Sequence, residues 1–276
     1  MQGYKLLRCT KEQENESMSI KRLFTFGCSF TQYWRWPTWA DALGQQYDFY
    51  ENWGLCGAGN SLIFYSLVEC HQQNKITKDD DVYIMWTNTS REDRYVKDRW
   101  LAAGNVYWTA GNALPPDYIL NFTCERGYLI RDLATITAAH HLLDHIGCKY
   151  TFFSMVPFSE TNESSGLASN PNDILTDDQD VRKFYSDTIS IVKPSVYDIV
   201  FNRDWRSRAG IVDHNIGQRD FHPTPLEHLE YLSSVVPGLI TNTKTSEWMQ
   251  LWQTNAEQGN RNWELSEQRK HLPKRL

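Results

Sequence analysis

The chain of 276 residues is long enough for one large α/β domain with appendages, and its net charge of −6 argues against nucleic acid as the main partner. Its 41 % apolar and 22 % charged residues are ordinary for a globular protein, and no run approaches the ~18 apolar residues of a membrane helix. Residues 1–19 are polar, with no apolar core that would mark a secretory signal, so a cytoplasmic location is expected.

Strands and helices alternate along the chain, which predicts a doubly wound parallel sheet. Arg22 to Phe26 reads as a short buried strand stopped by Gly27, and a helical pattern surrounds Trp39 to Leu43. A second strand at 48–50 ends near Asn52 and opens into the loop Asn52 to Asn60. Asn60 is placed to cap a helix carrying Ile63, Leu67 and Cys70. The third strand is 82–86.

Residues 93–122 mix Trp100, Tyr107, Trp108, glycines and Pro115-Pro116, and read as a long loop or lid rather than a sheet element. A long helix is predicted over 125–146, ended by Gly147, then a strand over 149–155 stopped by Pro157. Residues 159–178 read as a surface loop and 197–201 as a short extended segment. Thr224-Pro225-Leu226-Glu227 predicts a capped helix start, and residues 244–270 one or two surface helices. The division expected is an extension at 1–20, one domain over 21–240 with an insertion at 93–122, and a C-terminal helical extension at 241–276.

Certain residues carry chemistry. Ser29 follows the first strand, at the edge where open α/β sheets place ligands. A serine hydroxyl needs a base and a group to orient that base. His222 is the candidate base and Asp220 its orienting carboxylate. An acyl-transfer oxyanion needs donors. The Ser29 N–H is one, Gly57 the second (with Gly54 and Gly59 as alternatives), and the Asn88 amide a third. Tyr33, Trp34 and Trp36 follow the serine as a possible acyl- or sugar-binding wall, packing being the equal alternative. Trp108 sits in the expected lid. His228 reads as structural.

His141 and His145 share a helix face but lack a third ligand, so no metal and no cofactor is expected. Six scattered cysteines read as reduced thiols, and four sequons as incidental. Eleven tryptophans and fourteen tyrosines suit sugar or protein contacts.

These blocks together resemble the SGNH hydrolase family, the GDSL esterases, over about residues 21–240. Gly27-Cys28-Ser29-Phe30-Thr31 is similar to the first block in its bacterial and phage Gly-Cys-Ser-Phe-Thr form. Trp39 resembles the tryptophan that opens the first helix in such members. Asn52 to Asn60 resembles the second block, Thr87-Asn88-Thr89 the third, and Asp220 to His228 the last. Two departures stand out: aspartate and histidine are two apart rather than three, and Trp86 and Thr89 flank Asn88 in place of glycine and aspartate. The Gly-x-Ser-x-Gly elbow of α/β-hydrolases is absent.

The resemblance implies a three-layer α/β/α sandwich, flavodoxin-like, with a parallel sheet of about five strands. It implies a serine esterase that removes small, acetyl-like groups from a carbohydrate or similar polar ester, with Ser29, Asp220 and His222 catalytic and Ser29, Gly57 and Asn88 forming the oxyanion hole. Transfer of the acyl group to a sugar is an alternative. A non-catalytic phage or assembly protein on the same fold is another, with a virion location. The expected partner is a small-molecule or carbohydrate ester, with neither nucleic acid nor membrane. Oligomeric state is left open.

Overall fold

The computed structural model describes residues 20–108, 114–168, 178–205, 210–213, 218–240, 242–259, 263 and 271–275. Its centre is a parallel sheet of β1 (Arg22–Phe26), β2 (Phe49–Asn52), β3 (Asp81–Trp86) and β6 (Lys149–Ser154), in the order β2-β1-β3-β6. The chain steps from β1 outward to β2, then crosses back to β3 on the other side of β1. That reversal opens a crevice at the carboxyl ends of β1 and β3, where a ligand site belongs.

Both faces of the sheet are covered, so its strands are apolar on both sides. Successive side chains alternate between the two layers. Phe24, Phe26, Val82, Ile84, Trp86 and Phe152 enter one core cluster. Leu23, Tyr83, Met85 and Phe153 enter the other. The first cluster is closed by α2 (Asn60–Asn74) and α4 (Glu125–Ile146), with Gly147 as the left-handed C-terminal cap of α4. The second is closed by α1 (Trp39–Gly44), α7 (Val196–Ile199) and α8 (Pro225–Val235). Each fully buried large apolar side chain here is worth roughly 1.5–3 kcal/mol.

The remaining elements are an antiparallel hairpin of β4 (Arg91–Val96) and β5 (Arg99–Asn105), the helices α3 (Pro116–Phe122), α5 (Gln179–Phe184), α6 (Ser186–Ser190) and α9 (Thr243–Glu257), and a short hairpin of β7 (Ile211–Asp213) and β8 (Gln218–Asp220). Among the described residues, no helix is long and apolar enough to cross a membrane.

The expected α/β sandwich is present, with four parallel strands among the described residues and one isolated parallel bridge from Phe152 to Val192 beside them, where about five strands are expected. Three expectations are corrected. The segment over 197–201 is the end of a short helix and the turn after it rather than extended, because Ser195 caps α7 (Val196–Ile199), its hydroxyl accepting the Asp198 N–H at 3.1 Å. Residues 93–122 are not a structureless lid: they hold most of the β4–β5 hairpin and all of α3, while 109–113 fall outside the described residues. Asn60 is the first residue of α2 rather than its cap. Gly59 occupies the cap, and the Asp93 carboxylate accepts the N–H groups of Gly59 and Leu62 from across the hairpin. The N-terminal extension at 1–19 also lies outside the described residues.

Candidate active site

The chain leaves β1 through a turn that only glycine permits. A Cβ at Gly27 would collide with the Thr31 hydroxyl and lie 2.9 Å from the Met85 carbonyl oxygen. The turn is closed by the N–H groups of Thr31 and Gln32 on the Cys28 carbonyl, at 2.9 and 3.0 Å. Ser29 is thereby fixed, largely buried, at the carboxyl edge of the sheet.

The β7–β8 hairpin delivers Asp220, and the capped start of α8 holds the segment after it. Thr224 and Glu227 form the predicted capping box. Trp36 Nε1 donates to the Pro223 carbonyl at 2.9 Å. His222 Nδ1 lies 2.8 Å from Asp220 Oδ1, and the His222 backbone N–H donates to the same oxygen at 3.1 Å. The spacing of two therefore works: the loop folds back on its own aspartate.

Burial pushes the Asp220 carboxyl up, but hydrogen bonds from His222 and Tyr33 outweigh it and hold the group at about 2. Arg35 adds an ion pair at 2.9 Å. An ionised carboxylate only accepts, so Nδ1 of His222 carries the proton and Nε2 presents its lone pair. The Tyr33 ring stacks on the imidazole at 4.1 Å while its hydroxyl donates to Asp220 Oδ2.

A cleft of about 500 Å³ holds Ser29, Tyr33, Trp34, Cys56, Asp220 and His222 together. No hydrogen bond joins Ser29 to His222 among the described residues. The hydroxyl is instead within reach of the Cys56 thiol. Catalytic hydrogen bonds of this kind commonly tighten only around substrate. Cys56 is open to solvent yet crowded; burial and Cys28 push its thiol up, against the pull of Arg91 and Ser29.

Asn88 follows β3 and is buried, its Nδ2 without a partner. Arg91 Nε donates to Asn88 Oδ1 at 2.6 Å. A guanidinium cannot accept, so this bond fixes the amide with its NH₂ group turned away from Arg91 and unspent. The same Arg91 donates through Nη1 to the Ala58 carbonyl at 3.0 Å, joining the Asn88 segment to the Gly57 loop. Gly57 has φ +83°, and a Cβ there would lie 2.8 Å from the Ala102 carbonyl oxygen. Its own carbonyl accepts the Gly104 N–H, and no carbonyl takes its N–H among the described residues.

Behind Asn88, Asn60 clamps Thr87 by both backbone groups and donates to the buried Asp132 at 2.7 Å. Burial pushes Asp132 up to about 6 despite Arg131. Trp86 is fully buried against Phe152, facing the α2–α4 layer rather than the cleft.

The other sequence-selected residues separate. Trp34 lines the cleft, 40 % exposed. Trp36 is fully buried and supports Pro223, so it forms no wall of the cleft. Trp108 is exposed and does not line the cleft, and neither do Gly57 and Asn88. His228 is buried in α8, and burial, then His222, lowers it to about 3. His141 and His145 belong to no cluster of three metal-binding side chains among the described residues. Sequence reasoning missed Arg35, Arg91 and Cys56. The one signal for Arg91 is its place three residues after Asn88, on the same emerging segment.

Compared with known family models and with curated proteins, the chain matches none. Among solved structures it is similar to a catalytic mutant of an acetylxylan esterase from Geobacillus stearothermophilus, 15 % identical, TM-score 0.42, covering 81 % of this chain and 97 % of that one. It is also similar to a member of the lipolytic protein G-D-S-L family from Veillonella parvula, 15 % identical, TM-score 0.39, covering 78 % and 97 %. A GDSL-like lipase from Bacteroides thetaiotaomicron is 12 % identical, TM-score 0.38, covering 80 % and 87 %. Likeness at this level leaves the chemistry to be read from the site itself.

Proposed function

We propose that the protein is a serine esterase that removes small acyl groups from a polar ester, a carbohydrate ester being the class its aromatic cleft suits. The observation that carries this reading is the Asp220–His222 pair opening onto the same cleft as Ser29. Ser29 attacks the ester carbonyl, His222 Nε2 takes its proton and returns it to the leaving alcohol, and Asp220 holds the imidazole tautomer. The Ser29 segment lines the cleft to receive the developing oxyanion, and Gly57, whose N–H no carbonyl takes among the described residues, and Asn88, whose Nδ2 has no partner, stand behind the cleft wall and join it as the site tightens around substrate.

The test is a fluorophosphonate probe with intact-protein mass spectrometry. Wild type gains one adduct and Ser29→Ala gains none, while small-ester turnover falls by on the order of 10³-fold or more. A folded protein with no adduct overturns the reading. An adduct that survives Ser29→Ala moves the nucleophile to Cys56 or Cys28.

A further inference from the structure

We propose that the ester accepted here carries an anionic group, a carboxylate or phosphate, seated against Arg91 and Arg219 in the Ser29 cleft. This rests on the esterase reading and deepens it by naming the charge of the substrate. Three guanidinium groups line the cleft, from Arg35, Arg91 and Arg219. The one carboxylate among the lining residues is Asp220, already committed to His222, Tyr33 and Arg35. A positive cleft in a chain of net charge −6 is not a product of composition.

Arg91 is the sharper observation. It is 8 % exposed and no ion pair holds it among the described residues: the nearby Asp93 carboxylate acts on it only at longer range and is spent on the N–H groups of Gly59 and Leu62. By contrast Arg22, Arg126, Arg131 and Arg203 each pair with an aspartate or glutamate. A cation taken from water with no carboxylate in direct contact is costly. The acceptors Arg91 has are neutral: Asn88 Oδ1, the Ala58 carbonyl, and the Met155 sulfur 3.7 Å from Nη2. A thioether accepts weakly, so Nη2 keeps donor capacity where Arg91 and Met155 both line the cleft. A guanidinium edge matches the paired oxygens of a carboxylate or phosphate. Arg219, exposed on β8 at the rim, adds charge that draws an anion inward. Trp34, Phe30 and Trp205 supply apolar wall for the rest of the molecule.

The test compares 4-nitrophenyl acetate with 4-nitrophenyl hemisuccinate, which puts a carboxylate on the acyl side, and compares phenyl acetate with 4-phosphonooxyphenyl and 4-carboxyphenyl acetates, which put the anion on the leaving side. Arg219→Glu is the variant, since Arg91 also orients Asn88. At least one anionic ester is expected to exceed the neutral one by about tenfold in kcat/KM. That advantage shrinks between about 0.05 and 0.5 M NaCl and is lost in Arg219→Glu, the readout being the ratio of anionic to neutral ester turnover within each variant. Calorimetry of succinate and inorganic phosphate binding to Ser29→Ala, with and without Arg219→Glu, reads the same site without turnover. Equal turnover of neutral and anionic esters, insensitive to salt and to Arg219, overturns the inference and leaves the esterase reading standing. An unlabelled Ser29 that hydrolyses no ester overturns the esterase reading, and anion binding to Ser29→Ala then decides whether the basic cleft binds anions.

Discussion

At the scale of single residues, the proposed catalytic role of His222 rests on the groups that hold its ring in place. Tyr33 does two jobs, stacking on the imidazole and donating to Asp220. Tyr33→Phe keeps the stack and removes the donor. A bond to a charged acceptor is worth about 1.5–3 kcal/mol, and Arg35 retains part of the charge balance, so kcat should fall roughly tenfold with KM unchanged. Tyr33→Leu removes the stack as well and should fall further. Equal activity of both variants with wild type across the pH profile would exclude the role. Asp220→Asn is more severe, on the order of 10⁴ in rate, because an amide cannot take the donors of His222, Tyr33 and Arg35 together.

Asp220 also links the site to stability. Its carboxyl is lower in the folded chain, at about 2, than in the unfolded one. The sign follows: it contributes about 2 kcal/mol above pH ~4, lost as pH falls toward 2. Melting temperatures between about pH 5 and 2 should therefore fall less steeply in Asp220→Asn than in wild type. Ser29, Asp220 and His222 could be picked from sequence because their types and chain order carry the chemistry. Trp36 reads as wall from the sequence because aromatic character alone does not reveal which face is buried, whereas Tyr33 does line the cleft.

At the scale of elements, the β4–β5 hairpin is what a pattern reading misses. Arg91 to Val96 is mostly charged and shows no alternation, and its turn residues Lys97 and Asp98 take φ +50° and +63° without glycine or asparagine. Substituting Asp98→Gly should raise stability by about 0.5–1 kcal/mol in a denaturant titration, since glycine takes that conformation without strain. The hairpin is anchored by Asp93, which caps α2 from outside that helix. A Cβ at Gly59 would lie 2.7 Å from the Asp93 carboxylate, so the glycine and the borrowed cap belong together. Asp93→Ala should cost about 1–2 kcal/mol, the worth of a helix N-cap. It should also loosen the hairpin that holds Arg91 and Asn88. A variant with unchanged stability would mean that the α2 amides find water equally well. The α4 helix and the α8 capping box were legible because their signals are local; a cap supplied from 34 residues away is not.

At the scale of the whole molecule, strand order is the part no local pattern encodes. Four apolar strands announce a parallel sheet, but the outer position of β2 emerges only from the crossover to β3. That edge is covered by the C-terminal tail. The Asn52 N–H donates to the His271 carbonyl at 2.9 Å, and the His271 ring packs on Tyr50. Arg275 then reaches the carbonyls of Trp53 and Gly54 and donates to Ser66 Oγ at 2.7 Å. One side chain thus joins the end of β2 to α2, at the base of the loop that carries Gly57. Arg275→Ala leaves two largely buried carbonyls unpaired, each worth about 1–3 kcal/mol. Stability should fall by an amount of that order, and amide exchange should rise over 53–58 well before it rises in β6. Proteolytic cleavage should appear first in the same loop. Uniform acceleration of exchange across the sheet would instead mean that Arg275 contributes only to global stability and that the tail does not brace the candidate oxyanion loop.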